Sequence, residues 1–356
     1  MLFIVANSFP FLSLKLGGRV QESLLGSGVW QLAELGFPEL AVLIFITSIL
    51  FPALMLAGLL YVLTSIRLNL DWPAVSRVFR YVRAITPWSL IGVFMLGVLI
   101  AIVKLQDLAT VIPGTALFSL MGLLLVSVAA NASLDPHEVW PDYTTKLKLN
   151  GLYSTAKAHD LAHCHSCSLL IPASEHSHCP RCECRLHLRK PDSLARTWAL
   201  LITASILLIP ANLYPVMTVI RLGQGAPDTI ISGVIHLIEG GMWPLALLVF
   251  FASIVVPVTK LLVLSYLLIS IQIRSTWRPR DRTRLFRITE IIGAWSMVDI
   301  YLIGILAALV SMDSLASILP GIGASFFAAV VVVTLLAAHS FDSRLIWDYN
   351  GKDDSE

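Results

Sequence analysis

Seven long stretches of almost uninterrupted apolar residues constrain the fold of this chain more than any other feature of its sequence. Each stretch supplies the roughly 20 apolar residues that an α-helix needs to cross a bilayer. The stretches occupy residues 38–66, 88–106, 113–133, 196–214, 243–273, 291–312 and 317–341. The pattern predicts an all-α polytopic membrane protein.

The charge content argues against the alternative that these stretches are buried helices of a large soluble protein. Only 13% of the residues are charged, whereas soluble domains usually carry about 25%. An eighth and shorter apolar run covers Leu2–Leu14. This run lacks the basic start and the small-residue cleavage site of a secretory signal, so it is not interpreted as one.

Arginines collect in two of the connecting segments and predict the orientation of the chain. The first segment contains Arg67, Arg77, Arg80 and Arg83, and the second contains Arg274, Arg278, Arg280, Arg282, Arg284 and Arg287. Short loops rich in Lys and Arg stay in the cytoplasm. Residues 15–37 and 216–242 are then extracytoplasmic. A nucleic-acid-binding surface is the alternative reading of the arginines, but no nucleic-acid partner is expected.

The chain also contains an internal repeat. Ala6-Asn7-Ser8-Phe9-Pro10 recurs as Ala211-Asn212-Leu213-Tyr214-Pro215, 205 residues later, and Trp88-Ser89 recurs as Trp295-Ser296, 207 residues later. Further matched positions are Trp72 with Trp277, Asp135 with Asp342 and Trp140 with Trp347. Chance similarity between apolar helices would match Leu and Val, not Trp, Pro and Asp in order. The sequence therefore predicts two parallel four-helix transmembrane repeats related by an axis near the membrane normal.

A small extracytoplasmic β/α cap is predicted in each repeat. In the first, Phe11–Leu16 and Arg19–Ser23 flank Gly17-Gly18, which is the pattern of two strands joined by a tight turn. A short amphipathic helix is expected to follow at residues 28–36, with its equivalent at 233–241. The first span of the first repeat starts at Met1 and is short compared with its counterpart.

All five cysteines lie within 21 residues and form two Cys-x-x-Cys pairs. Cys164 and Cys167 are separated from Cys179 and Cys182 by eleven residues, a spacing typical of a four-thiolate zinc site. The segment lies between the apolar runs at 113–133 and 196–214, so the predicted topology places it in the cytoplasm, where thiols stay reduced. Zinc is the predicted metal, with iron in the same cage possible and a redox dithiol as the alternative. A closed four-thiolate site leaves no position for catalysis.

Cys184 is a fifth thiol, which we interpret as lying outside this ligand set. The alternative is that Cys184 competes with Cys182 as a ligand. Six histidines in the same region are read as surface residues: His159, His163, His165, His176, His178 and His187. The predicted domains are a first transmembrane repeat at residues 1–142, a zinc-ribbon module at 159–190 and a second transmembrane repeat at 194–349.

Two ionisable residues fall well inside predicted spans: Lys260 in the run at 243–273 and Asp299 in the run at 291–312. Charges in a membrane are costly and tend to face a bundle interior or a cavity. Their equivalents in the first repeat are Met55 and Gly92, so both charges are absent together from that half. We expect an intramembrane pair at similar depth that serves transport. The alternative is two residues that are solvated independently or snorkel to an interface.

The combination of these features resembles the paraquat-inducible protein A family of bacterial inner-membrane proteins. The residues that carry the resemblance are Ala211–Pro215, Ser253–Pro257 with Lys260, Trp295–Asp299, Phe341–Asp348 and the Cys-x-x-Cys pairs. The resemblance covers essentially the whole chain. It implies a multi-pass protein of the inner membrane and a partnership with a periplasmic MCE-domain protein that carries lipids between the inner and outer membranes. The family's second zinc ribbon, before the first span, is absent from this sequence.

The leading functional hypothesis is therefore a non-enzymatic component of an MCE-associated lipid transport system that handles membrane phospholipid. No Walker-type phosphate loop and no Gly-x-Ser-x-Gly motif occurs in the sequence. A membrane redox or stress-response protein that uses the cysteines is a second hypothesis, and a passive anchor for a periplasmic partner is a third.

Overall fold

The computed structural model of the protein is mostly helical and describes most of the chain. The described residues are 1–16, 19–68, 74–106, 110–133, 161–164, 166–167, 169–172, 178–221, 224–309, 311–312 and 316–348. Predictions that concern Gly17-Gly18, Trp72, Asp135, Trp140, His159, His165 and His176 lie outside these residues.

Seven helices in the described part of the chain are long and apolar enough to cross a membrane, which confirms the prediction of a polytopic membrane protein. They cover Pro38–Arg67, Val75–Leu105, Thr115–Ala132, Ser193–Leu213, Trp243–Gln272, Pro279–Leu309 and Ile322–Ser340. Two of them begin much earlier than the apolar runs at 88–106 and 291–312 indicate. Each of these continues an arginine-rich amphipathic helix that carries too much charge to be recognised as part of a span.

The shorter elements lie between these helices. In the N-terminal part they are the helix Leu2–Ser8, β1 (Leu12–Leu16), β2 (Arg19–Ser23), the helix Leu25–Glu34 and β3 (Thr110–Pro113). Two strands precede the helix Ser193–Leu213, namely β4 (Leu161–His163) and β5 (Leu170–Pro172). In the C-terminal part they are β6 (Met217–Arg221), β7 (Gln224–Asp228), the helix Ile230–Glu239, β8 (Ser311–Met312), β9 (Ala316–Pro320) and a 3-10 turn at Ser343–Trp347.

Corresponding elements start and end at corresponding positions. Shifted by 205 residues, β1, β2 and the helix Leu25–Glu34 coincide with β6, β7 and the helix Ile230–Glu239. Both short helices begin three residues before the predicted 28 and 233. In the second, Thr229 and Ser232 form a capping box that fixes this earlier start.

A proline interrupts each of the long helices Pro38–Arg67 and Trp243–Gln272 in the same way. Pro52 and Pro257 follow π-helical turns at Ile46–Leu50 and Phe251–Val255. Proline has no N–H, and its ring crowds the carbonyl four residues before it, so the regular hydrogen-bond ladder cannot continue there. The π turn accommodates one extra residue where the hydrogen-bond ladder is interrupted, and it changes the direction of the side chains within the turn.

The chain divides into two compact units. The first contains residues 1–46, 91–124 and 192–356. Its centre is the helix Val298–Leu309, all twelve residues of which are buried. This helix packs against Ile91–Gln106 and Leu25–Glu34. The unit also holds two antiparallel sheets, with strand orders β2-β1-β3 and β7-β6-β9-β8.

The second unit contains residues 47–90 and 125–191. Its helices Phe51–Arg67 and Val75–Ile85 pack against each other as a hairpin. The apolar residues of Val75–Ile85 recur with helical spacing, and Phe79 and Val82 are the two that become buried. Gly58 leaves the space that the Val82 side chain fills. β4 and β5 form an antiparallel pair in the same unit.

Candidate functional site

Four cysteine side chains converge in the second unit. The sulfur atoms of Cys164, Cys167, Cys179 and Cys182 all lie within 4.8 Å of one another, and all four residues are buried. The Cys164 and Cys182 sulfurs are 3.5 Å apart, as are those of Cys167 and Cys179. Four thiolates at these separations fit the tetrahedral ligand set that zinc prefers in structural sites.

Short backbone turns aim these thiols at one point. The N–H of Cys164 donates to the Leu169 carbonyl over 2.9 Å, and the N–H of Cys179 donates to the Cys184 carbonyl over 2.8 Å. Glu183 adopts a left-handed conformation with φ of 58°, which reverses the chain after Cys182. A hydrogen bond from the Cys167 thiol lowers the pKa of Cys164, so a thiolate ligand forms readily there.

The remaining cysteine and the described histidines stand outside this cluster. The Cys184 sulfur lies 3.8 Å from the Arg185 carbonyl and is not one of the four converging atoms. Burial raises the pKa of the Cys184 thiol. His163 and His178 are exposed, and His187 is half-buried.

Lys260 is one of the largest fully buried side chains of the first unit. Its ammonium group donates a hydrogen bond to the Gly293 carbonyl over 2.8 Å and another to the Thr334 hydroxyl over 3.5 Å. A side chain at position 293 would place its Cβ 2.7 Å from the Lys260 Cε atom. The absence of a side chain at Gly293 therefore makes room for the lysine.

Asp299 is also buried, with 8% of its surface exposed. Its carboxylate accepts a hydrogen bond from the Ser253 hydroxyl, which belongs to the π turn Phe251–Val255. The same hydroxyl lies 2.6 Å from the Val249 carbonyl. A hydroxyl has one proton, so it serves either the carboxylate or the carbonyl at a given moment.

These contacts place Lys260 and Asp299 at different levels rather than at the similar depth expected from the sequence. Ser253 precedes Lys260 by two helical turns, and Gly293 precedes Asp299 by nearly two. At 1.5 Å per residue the two levels are about 10 Å apart. Lys260 donates its hydrogen bonds to Gly293 and Thr334, and Asp299 accepts one from Ser253. Among the described residues, no hydrogen bond joins Lys260 to Asp299. Sequence spacing placed both residues inside predicted spans but did not reveal this offset.

A small cavity adjoins Asp299 in the first unit. It encloses about 50 Å³, and its walls are mainly apolar. Its polar lining residues are Lys104, Thr229, Ser253 and Asp299. Lys104 was not predicted as a site residue, although it lies in the apolar run at 88–106. A lysine within the last turns of a predicted span was the available signal.

A larger cavity of about 770 Å³ lies beside the small one. The two cavities share Lys104, Met217, Gly233 and Leu237 as lining residues. The larger one is also lined by Asp228 and His236, whose side chains approach to 3.5 Å. Lys104 therefore lies at the junction between the larger cavity and the buried carboxyl group of Asp299.

Sequence comparison places this arrangement in a known family. A family model described as paraquat-inducible protein A matches residues 1–144 and 194–350. The chain belongs to the paraquat-inducible protein A family. The two matched segments of this paraquat-inducible protein A chain contain the long helices, and the segment between them contains the four-cysteine cluster.

Named relatives extend over most of the chain. It is 31% identical over 359 residues to the intermembrane transport protein PqiA of Escherichia coli (strain K12), covering 100% of this chain and 85% of the relative. It is 30% identical over 333 residues to lipophilic envelope-spanning tunnel protein A of the same strain, covering 94% of this chain and 76% of the relative. A probable intermembrane transport protein of Haemophilus influenzae is 28% identical over 344 residues. No solved structure matches the chain.

Proposed function

We propose that this multi-pass membrane protein carries lipid between the inner and outer membranes of a bacterium as the inner-membrane component of an MCE-associated system. The names of its relatives, which describe intermembrane transport and an envelope-spanning lipophilic tunnel, support this proposal. The observation that carries it is the pair of adjoining cavities, of about 50 and 770 Å³, whose mainly apolar walls also hold polar groups. The larger cavity has room for part of a phospholipid, and apolar walls with a few charged groups match its apolar body and its charged head group.

The proposed architecture is a tandem duplication. Two parallel four-helix repeats at residues 1–142 and 194–349 would each carry a small β/α cap, with a zinc ribbon at 159–190 between them. Elements of equal length at a separation of 205 residues support the duplication. The four converging thiols support the proposed zinc ribbon. Four sulfur ligands suit a structural zinc ion, and they leave no open coordination position for catalysis.

Reporter fusions test the proposed orientation, in which the ribbon and the C-terminus face the cytoplasm. A reporter placed after Cys182 or Arg280 should report a cytoplasmic location, because arginine-rich loops are retained on that side. A reporter within residues 218–228 should report a periplasmic one. A periplasmic signal after Arg280 would contradict the orientation, and opposite signals after Cys182 and Arg280 would contradict the parallel repeats.

Within this proposal, Lys104 and Asp299 have complementary roles at the two connected cavities. Lys104 borders both spaces and would attract a lipid phosphate from the larger one. Asp299 and Ser253 lie deeper and would discriminate against an anionic group or exchange a proton with it. Lys260, at its own level with Thr334, would hold the helices Val256–Gln272 and Ile322–Ser340 in the register that transport requires.

Filling the cavity provides a direct test of lipid transport. Leu237 lines both cavities and is 6% exposed, whereas its neighbour Ile238 is 56% exposed on the same short helix. Leu237→Trp should lower the transfer of labelled phospholipid between vesicles containing the protein and its MCE-domain partner by about tenfold, since the larger side chain obstructs the junction of the two cavities. Ile238→Trp is the matched control and should leave the rate unchanged. Wild-type transfer by Leu237→Trp would contradict a route through this cavity.

A further inference from the structure

We propose that the metal-loaded ribbon is a clamp on the helical hairpin formed by Phe51–Arg67 and Val75–Ile85, and that Arg80 and Arg83 recognise its metal-loaded fold. The proposal rests on the zinc site proposed above. It assigns a positioning role to Arg80 and Arg83. From the sequence alone, these arginines only indicate that their loop is cytoplasmic.

The ribbon and the hairpin share one apolar cluster in the second unit. Val62 and Phe79, one from each helix of the hairpin, are buried together with the four metal-binding cysteines. Leu169 and Leu186 of the ribbon pack against the same cluster. A module of about 30 residues cannot bury enough apolar surface to fold alone and depends on a metal or on a neighbouring surface. The hairpin supplies that surface here.

Each of the two Cys-x-x-Cys turns of the ribbon, called a knuckle here, is bound by a different arginine of one helix. Arg80 donates a hydrogen bond to the Cys182 carbonyl over 3.1 Å, and Arg83 donates one to the Ser166 carbonyl over 3.0 Å. Ser166 belongs to the first Cys-x-x-Cys pair and Cys182 to the second. Because both acceptors are backbone carbonyls, the arginines recognise the conformation of the knuckles and not a particular side chain.

The metal connects these two contacts. Arg80 and Arg83 are three residues apart on a helix, so their guanidinium groups reach both carbonyls only while the two knuckles lie side by side. Ser166 and Cys182 are 16 residues apart in the sequence, and the thiolate cage is what holds their knuckles together. Binding of a structural metal is coupled to folding in this way. Loss of zinc would separate the acceptors and free the hairpin.

The equivalent hairpin of the second half does not preserve this pair. At a separation of 207 residues Arg80 corresponds to Arg287, but Arg83 corresponds to Glu290, which cannot donate to a carbonyl when ionised. The buried phenylalanine of that hairpin, Phe286, packs against Phe341 with ring centroids 5.0 Å apart. The clamp is therefore a feature of the first half alone, and the second half offers a matched control.

Zinc release and hydrogen exchange test the clamp in the purified full-length protein. The double variant Arg80→Ala, Arg83→Ala should lose zinc to a chromogenic chelator about tenfold faster, the effect expected for removing charge-assisted hydrogen bonds. The control Arg284→Ala, Arg287→Ala should release zinc at the wild-type rate. In the wild-type protein, removing zinc should raise the exchange rate of the backbone amides in Val75–Ile85 several-fold.

The measurements separate this proposal from the metal assignment. A wild-type chain without bound zinc would overturn both proposals. A zinc-containing chain would overturn the clamp alone if the double variant released zinc at the wild-type rate. Unchanged exchange in Val75–Ile85 after zinc removal would do the same, and this second measurement needs no variant that must fold.

Discussion

Serine in place of Cys164 or Cys179 is expected to leave the purified protein without bound zinc. The wild-type chain should contain about one zinc ion, because four thiolates complete a tetrahedral structural site. Each of these cysteines is buried with its sulfur within 4.8 Å of the other three. Serine is a poor zinc ligand, so a single substitution removes one corner of the cage and the ribbon loses the bond energy that folds it. Elemental analysis of the purified protein measures the loss.

Cys184→Ser is the matched control for this experiment. The Cys184 sulfur lies outside the converging set, so the variant should keep its full zinc content. Loss of zinc in Cys184→Ser would make Cys184 a ligand. Iron at wild-type stoichiometry would change the identity of the metal, and a metal-free protein with a Cys164–Cys167 disulfide would support the redox hypothesis instead.

The helices were predictable because the membrane leaves few alternatives. In a chain with so few charges, a run of about 20 apolar residues is expected to form a membrane-spanning helix. All seven runs correspond to long helices in the structure. The strands β1 and β2 follow local turn chemistry. β3 and β9 could not be predicted in the same way, because they pair with β1 and β6 from about 100 residues away in the sequence. Their pairing depends on tertiary packing, which local patterns do not contain.

The candidate sites follow the same division. The spacing of the Cys-x-x-Cys pairs is local chemistry, and the four thiols meet as that spacing predicts. The sequence also predicted that Lys260 and Asp299 lie within long apolar helices, as they do. Their relative depth could not be predicted, because it depends on the space at Gly293 and on the π turn that carries Ser253. The link between Arg83 and the ribbon carbonyl at Ser166 is likewise a tertiary contact.

Replacing Lys260 or Asp299 is expected to lower lipid transfer strongly while the protein still folds. Lys260→Met copies the residue at the equivalent position of the first half, Met55, and leaves only the neutral Gly293 carbonyl and Thr334 hydroxyl without their donor. Asp299→Asn keeps a hydrogen-bond acceptor for Ser253 but removes the charge. Each loss of a buried hydrogen-bond partner costs about 1–3 kcal/mol, which a membrane domain of this size tolerates. Phospholipid transfer between vesicles should fall by at least about tenfold in both variants.

A double-mutant cycle then decides how the two residues act together. Groups more than about 7–10 Å apart without shared partners change stability additively, within about 0.5 kcal/mol. Since Lys260 bonds at the level of Gly293 and Asp299 at the level of Ser253, we expect additive effects on thermal unfolding in detergent. A direct ion pair would give a different result: each single variant would strand a buried charge at a cost of about 3–5 kcal/mol, and the double variant would recover part of it. Such recovery would restore the direct pair predicted from the sequence. Lys15→Met, outside the membrane spans, should transfer lipid normally, and normal transfer by Lys260→Met and Asp299→Asn as well would remove both residues from the mechanism.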